Sequence, residues 1–175
     1  MSLGLSIVLF LLVFYYPTIN RYITQVTPTP TITEGSKIGE YHTVTRVIDG
    51  DTIELDNKQI VRYIGMDTPE LHHPKKPVQC YGEEAKRINE TLVLHKTVRL
   101  VKDISETDRY GRLLRYVYVD QPMSTQSALF VNGYLVQEGY ARVATFPPDV
   151  AQVAYFQSLQ NEARVQGKGL WSACE

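Results

Sequence analysis

Short apolar runs rich in β-branched residues come first in the chain beyond residue 40, and turn signals separate them. Asp49-Gly50 is a dipeptide typical of tight hairpins, and Asp56-Asn57-Lys58 marks a second turn. The β-rich segments are residues 41–48, 52–55, 59–66, 98–101 and 113–119. Five strands at such short spacing favour a small β-barrel.

Three further segments have the 3.6-residue period of helices. They are residues 82–94, 132–138 and 149–165. In the first of them, Ala85, Ile88 and Leu92 share one face, and in the last, Asp149 is the candidate N-cap. The pattern therefore predicts an α+β domain that is mainly β, with three α-helices.

The N-terminal segment has a different character from the rest of the chain. Residues 1–16 contain no charged side chain, and Pro17 follows them. We expect residues 1–20 to be a signal peptide or a membrane anchor, with a buried core helix as a third interpretation. Alternating Thr and Pro make residues 21–40 a linker, so residues 41–175 form the globular domain.

The chain as a whole is nearly neutral. The chain has 175 residues, a formal net charge of −1 and a pI of about 6.4. A strongly basic balance would indicate nucleic-acid binding, and it is absent here. Four acids cluster at two turns: Asp49, Asp51, Asp67 and Glu70. Without them, residues 41–175 carry a formal charge of +3, so the surface outside such a cluster is mildly basic.

These four acids lie at the ends of two neighbouring predicted strands. Carboxylate oxygens converging from two strand ends are the ligands that hard cations such as Ca²⁺ and Mg²⁺ prefer. The alternative is that each pair only forms a turn, because Asp readily bonds its own backbone.

Two arginines accompany the acids. Arg62 lies in an otherwise apolar strand, five residues before Asp67, and Arg112 follows the turn Asp108-Arg109-Tyr110-Gly111. A guanidinium group in such a place needs an anion, and phosphate accepts two parallel hydrogen bonds from it. A structural salt bridge is the alternative for each arginine.

The two cysteines, Cys80 and Cys174, allow one bridge or two unrelated buried thiols. A bridge fits an oxidising compartment, which the N-terminal segment also favours. The spacing lacks the Cys-x-x-Cys pairing of a structural zinc site.

Three motifs in this order resemble the staphylococcal nuclease (thermonuclease) family. They read VIDGDTIEL, RYIGMDTPE and TDRYGRLLRYVYV, and the resemblance covers residues 41–171. It implies a five-stranded OB-fold barrel with three α-helices. The stretches CYGEEA and GLWSAC are similar to those of bacterial members and imply a disulfide between Cys80 and Cys174.

The resemblance implies a calcium-dependent phosphodiesterase and endonuclease. Such an enzyme hydrolyses DNA and RNA, with single strands favoured, and leaves 3′-phosphate ends. It would work as a monomer, secreted or at the cell surface, and membrane-anchored if the N-terminal segment is not cleaved. One calcium ion would be bound by the Asp51 and Asp67 side chains and the Thr68 carbonyl, with Asp49 supporting the site from outside.

The resemblance also assigns the chemistry. Arg62 and Arg112 would bind the scissile phosphate, and Glu70 would orient or deprotonate the attacking water. Arg109 and Tyr110 match positions near the nucleotide in the family, although Lys is common where Arg109 stands.

One segment departs from the family pattern. Thr145 and Pro147 stand where the best-studied member has two tyrosines that frame the base, and Phe146 is the only aromatic residue there. Stacking contributes about 1–3 kcal/mol per base in single-strand binders, so base preference is expected to differ.

Two other functions compete with catalysis. One is a non-catalytic OB-fold module that binds nucleic acid, and the other is a tethered structural domain that binds calcium for stability alone. A non-catalytic binding module is expected to lack some of the metal ligands, and none is missing here. A structural calcium-binding domain has no need of Arg62 or Arg112. EDTA should abolish activity in an enzyme, whereas it should only lower the melting temperature of a structural domain.

Overall fold

The computed structural model describes residues 39–71, 77–120 and 128–174. The predicted signal or anchor segment at 1–20 and nearly all of the linker lie outside these ranges. Within them, the strands are β1 (Glu40–Asp49), β2 (Thr52–Leu55), β3 (Ile60–Tyr63), β4 (Met66–Asp67), β5 (Thr97–Val101), β6 (Leu113–Val119), β7 (Leu129–Phe130) and β8 (Arg142–Val143). The helices are α1 (Gly82–Val93), α2 (Val131–Gln137), α3 (Val153–Val165) and α4 (Leu170–Ala173).

Five strands close into a barrel in the order β3-β2-β1-β5-β6. The short strand β7 pairs antiparallel with β6. Neighbouring strands of the barrel are antiparallel except for β3 and β6, which run parallel. The pairing of β3 with β6, in which Val61 lies opposite Leu113, closes the barrel. Irregular register in β1, between Val44 and Arg46 and again beyond Val47, supplies the extra bend that a small barrel needs. The predicted five-stranded OB-fold barrel with helices is confirmed.

The barrel interior is filled by the inward side chains of every strand. Val44, Ile53, Leu55, Val61 and Val117 are all fully buried. Helices α2 and α3 add further apolar side chains to the same core, including Leu135 and Phe156. Burying such side chains stabilises the fold by about 1.5–3 kcal/mol each.

The predicted third strand, residues 59–66, is interrupted in the structure. Gly65 has a φ of 83°, in the left-handed region, and a Cβ there would lie 2.3 Å from the Phe156 ring. The turn at Gly65 separates β3 from β4 and sends β4 out to pair with β8. As a result, Asp67 leaves the barrel wall and is half exposed.

Two helix predictions need correction. Helix α3 begins at Val153, not at Asp149, because the Asp149 carboxylate caps a different loop. In α1 the fully buried positions include Ala85, Asn89 and Val93, whereas Ile88 and Leu92 are only partly buried. The helix is thus turned so that a polar residue, Asn89, faces the barrel.

The structure joins Cys80, just before α1, to Cys174, just after α4, with a Cα–Cα distance of 5.8 Å. This disulfide holds the end of the chain against the loop that follows β4. Within the described residues, no helix is both long enough and apolar enough to cross a membrane.

Candidate active site

Asp51 is the buried centre of the predicted acid cluster. The Asp49-Gly50 turn joins β1 to β2 and leaves Asp51 with only 2% of its side chain exposed. Its Oδ2 accepts hydrogen bonds from the Thr68 backbone N–H at 2.9 Å and the Thr68 hydroxyl at 3.0 Å. Its Oδ1 accepts one from the Thr52 hydroxyl at 2.9 Å. These bonds tie the β1–β2 turn to the segment after β4.

Arg62 links the two acidic turns. It lies on β3 opposite Thr52, and its side chain is 17% exposed. One guanidinium nitrogen pairs with Asp51 Oδ1, and the other pairs with Asp67 Oδ1. Because β3 runs between β2 and the turn at Gly65, the barrel itself brings these three charges together. The structure therefore contains the ion pair that was the alternative interpretation of Arg62.

Asp49 has a supporting position. Its Oδ1 accepts a hydrogen bond from the Gly50 N–H at 2.8 Å, and its backbone carbonyl accepts one from Asn89 Nδ2 at 3.2 Å. The Tyr63 hydroxyl donates to Asn89 Oδ1 at 3.0 Å. Burial raises the pKa of Tyr63 well above its ordinary value, so Tyr63 remains a donor at all physiological pH. This buried network fixes the turn that presents Asp51.

Glu70 lies three residues beyond Asp67, where the chain turns towards the disulfide. Its backbone N–H donates to Gln79 Oε1 at 3.0 Å, and its carbonyl accepts from the Gln79 N–H at 3.0 Å. These two bonds hold the Glu70 backbone, while its partly buried side chain is absent from the walls of the cleft described below.

Arg112 is positioned by its own turn. Its Nε and Nη2 both lie 2.7 Å from Asp108 Oδ2, and Asp108 Oδ1 accepts the backbone N–H groups of Tyr110 and Arg112. Partial burial alone raises the pKa of Asp108, but the hydrogen bonds from Arg112 and Tyr110 outweigh it and hold that pKa below its usual value. Asp108 is thus a permanent anion at neutral pH that aims Arg112.

Tyr110 forms an exposed aromatic surface beside this turn. Its ring is flanked by two guanidinium groups, with Arg109 Cζ 4.8 Å and Arg112 Cζ 5.4 Å from the centroid. Arg109 Nη2 also donates to the Tyr110 hydroxyl at 2.7 Å. Cation–π contacts of this kind orient both arginines without neutralising them.

A cleft of about 520 Å³ connects these groups. Its lining includes Arg62 and Asp67, the turn with Arg112, and Phe146, which is 74% exposed. The described lining is Arg62, Tyr63, Ile64, Gly65, Met66, Asp67, Asp108, Arg109, Tyr110, Arg112, Leu114, Ala144, Phe146 and Asp149. Of the predicted site residues, the cleft thus collects Arg62, Asp67, Arg109, Tyr110 and Arg112. Asp51, which pairs with Arg62, is absent from the lining, as are Thr68, Asp49 and Glu70.

Residues 60–173 match the model of a protein family described as staphylococcal nuclease homologue. That match covers well over half of the chain and includes Arg62, Asp67, Glu70 and Arg112. The chain belongs to the staphylococcal nuclease family. The predicted family is therefore confirmed.

Several members of the staphylococcal nuclease family are similar along most of the domain. The chain is 39% identical over 132 residues to a thermonuclease of Staphylococcus hyicus, covering 74% of each chain. It is 38% identical over 136 residues to a thermonuclease of Staphylococcus intermedius, covering 76% of this chain and 77% of that one. It is also 38% identical over 135 residues to the endonuclease YncB of Bacillus subtilis, covering 74% of this chain and 61% of that one.

Three polar residues that shape this site were not among the predicted site residues. Asp108 had a usable signal, because Asp is favoured at the first position of a turn. Asn89 had a weaker one, since it stands four residues from both Ala85 and Val93 on the buried helix face. Asp149 had none: its Oδ1 accepts the backbone N–H groups of Ile104 and Ser105 at 2.9 and 2.8 Å, a contact between distant loops.

Proposed function

We propose that this protein is a hydrolytic nuclease that uses calcium to cleave phosphodiester bonds in DNA and RNA and leaves 3′-phosphate ends. The observation that supports it most is the single cleft that both Arg62 and Arg112 line, with Arg62 paired to two acids, Asp51 and Asp67. The thermonucleases and endonucleases among its relatives support the same reaction class.

The donor set fits a hard divalent cation. Asp51 and Asp67 both direct a carboxylate oxygen at one cationic group, the guanidinium of Arg62. Carboxylate and carbonyl oxygens are the ligands that calcium prefers, so these two acids and the Thr68 carbonyl would hold the ion. Within the described residues, no three acidic, His or Cys side chains group as a metal set, so water and substrate would complete the coordination. A bound calcium would supply positive charge to the phosphoryl oxygens.

The reaction needs fixed cations around a phosphate and an acceptor for one proton. Arg62 and Arg112 would bind two non-bridging oxygens of the scissile phosphate through the fixed N–H donors of their guanidinium groups. Water attacks the phosphorus, its proton goes to the Glu70 carboxylate, the bond from phosphorus to O5′ breaks, and O5′ takes up a proton from solvent. The products are then a 3′-phosphate and a 5′-hydroxyl.

The exposed aromatic rings favour single strands as substrates. Tyr110 is 69% and Phe146 is 74% exposed, and both line the cleft. Unpaired bases stack on such rings with little sequence preference, contributing about 1–3 kcal/mol per base. Since Thr145 and Pro147 stand where the best-studied family member has its two tyrosines, stacking in this segment would rest on the Phe146 ring alone.

The proposed place of action is outside the cell or at its surface, with a single chain as the working unit. The disulfide between Cys80 and Cys174 supports it, because such bridges persist in oxidising compartments. The uncharged residues 1–16 support export or anchoring.

Hydrolysis of heat-denatured DNA by the full-length protein tests the proposal, with calcium and then with EDTA. The Glu70→Gln variant should lose about 100-fold or more of the kcat, because it cannot accept the proton. The matched control is Glu83→Gln, an exposed carboxylate in the first turn of α1, which should retain the wild-type rate. Product 5′ ends should accept labelled phosphate from a polynucleotide kinase without prior phosphatase treatment.

Cleavage that persists in EDTA would contradict the calcium dependence, and product 5′ ends that need phosphatase first would contradict the bond assignment. A folded wild-type protein that binds denatured DNA without cutting it would instead favour the binding module.

A further inference from the structure

A second cleft of about 420 Å³ borders the segment that follows β4. Its described lining is Asp67, Thr68, Pro69, Gln79, Cys80, Arg142 and Cys174. Asp67 lines both clefts, so the second cleft borders the residue beside which the proposed cleavage takes place.

Arg142 is the cation of this second cleft. It stands directly opposite Asp67 in the antiparallel pair of β4 and β8, and it is exposed. Residues opposed in this way carry their side chains on the same face of the sheet. The Asp67 carboxylate nevertheless pairs with Arg62, and among the described residues no carboxylate lies within salt-bridge distance of Arg142.

Trp171 holds Arg142 in place without neutralising it. The Arg142 Cζ lies 5.2 Å from the centroid of the Trp171 ring, and the Arg164 Cζ lies 4.6 Å from the same centroid. A guanidinium that stacks on an aromatic face keeps its N–H donors for an anion. Two such cations on one ring make the local potential positive, and of the two only Arg142 lines the second cleft.

The anion that fits is a phosphate of the nucleic acid itself. Each nucleotide adds one phosphate to the backbone, so a strand whose scissile phosphate lies beside Arg62 presents its next phosphate one nucleotide away. We propose that Arg142 binds a phosphate adjacent to the scissile one, in the second cleft, and thereby makes cleavage depend on substrate length. This inference rests on the proposed nuclease function and adds a substrate-binding residue to it.

The test compares Arg142→Gln with Arg164→Gln in the full-length protein. Both variants remove one cation from the Trp171 ring, but only Arg142 lines the cleft. Two readouts are used: the kcat and KM for a substrate with one phosphodiester bond and for a 12-nucleotide single-stranded DNA, and the salt dependence of the Kd for that DNA in EDTA. Thermal melting of both variants checks that each is folded.

Arg142→Gln should raise the KM for the 12-nucleotide DNA about three- to tenfold, with little change in kcat and a smaller effect on the one-bond substrate. The slope of log Kd against log salt should fall by about 0.7, the value expected for one lost phosphate contact on a single strand. Arg164→Gln should change neither. Equal effects of the two variants, or equal losses on both substrates, would overturn the role of Arg142. Absence of cleavage by the wild type would overturn the nuclease, while the salt slope would still decide whether Arg142 binds phosphate.

Discussion

The two arginines that line the first cleft, Arg62 and Arg112, are held in contrasting ways. Arg62 pairs with Asp51 in the β1–β2 turn and with Asp67 in β4, and Asp51 is only 2% exposed. Arg112 pairs with Asp108, four residues earlier in the same turn, and is itself 32% exposed. One arginine is positioned by closure of the barrel, and the other by a local turn.

Because of this difference, the effect of a substitution on stability should differ between the two positions even where its effect on cleavage is the same. Removing Arg62 leaves a buried carboxylate without its cation, and that is costly wherever solvent cannot replace the partner. Removing Arg112 leaves Asp108 in a turn that water reaches and that two backbone N–H groups still satisfy. If both arginines bind the scissile phosphate, their loss should harm cleavage similarly but stability very differently.

The largest effect is expected for Arg62→Gln. Cleavage should fall by about 100- to 1000-fold, as for other lost donors to a transition-state oxyanion. Stability without calcium should fall by about 3 kcal/mol, because Asp51 becomes a buried unpaired anion. Initial rates on denatured DNA and urea unfolding in EDTA measure the two quantities.

Arg46→Gln is the matched control for Arg62→Gln. Arg46 also pairs with an acid across neighbouring strands, Glu54, but its side chain is 61% exposed. That substitution should cost less than about 1 kcal/mol and leave the rate unchanged. A similar loss of stability in both variants would mean that the burial of Asp51 does not make the ion pair of Arg62 more important for stability than the exposed pair of Arg46.

The second prediction concerns Arg112→Gln. Cleavage should fall by about 100-fold for the same reason as at Arg62, yet the free energy of unfolding should change by less than about 1 kcal/mol. The same two assays apply. A loss of stability as large as that of Arg62→Gln would show that the turn, like the barrel, depends on its ion pair.

The sequence was sufficient wherever partners are close along the chain. The strands and the barrel followed from turn dipeptides and β-branched runs, and Arg62 lies only five residues from Asp67 within one motif. Those features depend on residues that are close in sequence, so the hydrophobic pattern and the residue propensities predict them. The family resemblance added the roles of the residues, and those roles remain predictions.

The sequence was insufficient where a polar side chain serves a distant part of the backbone. Asn89 binds the Asp49 carbonyl across 40 residues, and Asp149 binds the Ile104 N–H across 45. Asp149 looked like a helix N-cap because both roles need the same chemistry, a carboxylate that accepts backbone N–H groups. Only the packed barrel decides which backbone is near.

A third prediction sharpens the contrast through metal affinity. Arg62 and a divalent cation would both interact with Asp51 and Asp67, so they compete for the same negative charge. Arg62→Gln should therefore bind calcium about tenfold more tightly, or about 1.4 kcal/mol, although it cleaves poorly. Calorimetric titration with calcium chloride alone measures this, and Arg112→Gln should match the wild type. Weaker binding by Arg62→Gln would mean that Arg62 helps to build the ion site.

The smallest effect is expected at the turn itself, for Asp108→Asn. The pKa of Asp108 is lowered in the folded protein, so its ionised form adds stability at any pH above the usual Asp value of about 3.9. That contribution is lost as the pH falls through the lowered folded pKa. Asn keeps an oxygen for the two backbone N–H groups but loses the charge, so the variant should be less stable by about 1 kcal/mol at pH 7.

Urea unfolding at pH 7 and at about pH 3 checks this prediction, since the usual Asp pKa is about 3.9. The difference between wild type and Asp108→Asn should be smaller at the lower pH, because the carboxyl of the unfolded chain is then largely protonated while the lowered pKa of the folded state opposes proton uptake. A difference that stays constant would assign the effect to hydrogen-bond geometry. A cleavage rate for the variant within about tenfold of the wild type would mean that the phosphate can hold Arg112 in place without the charge of Asp108.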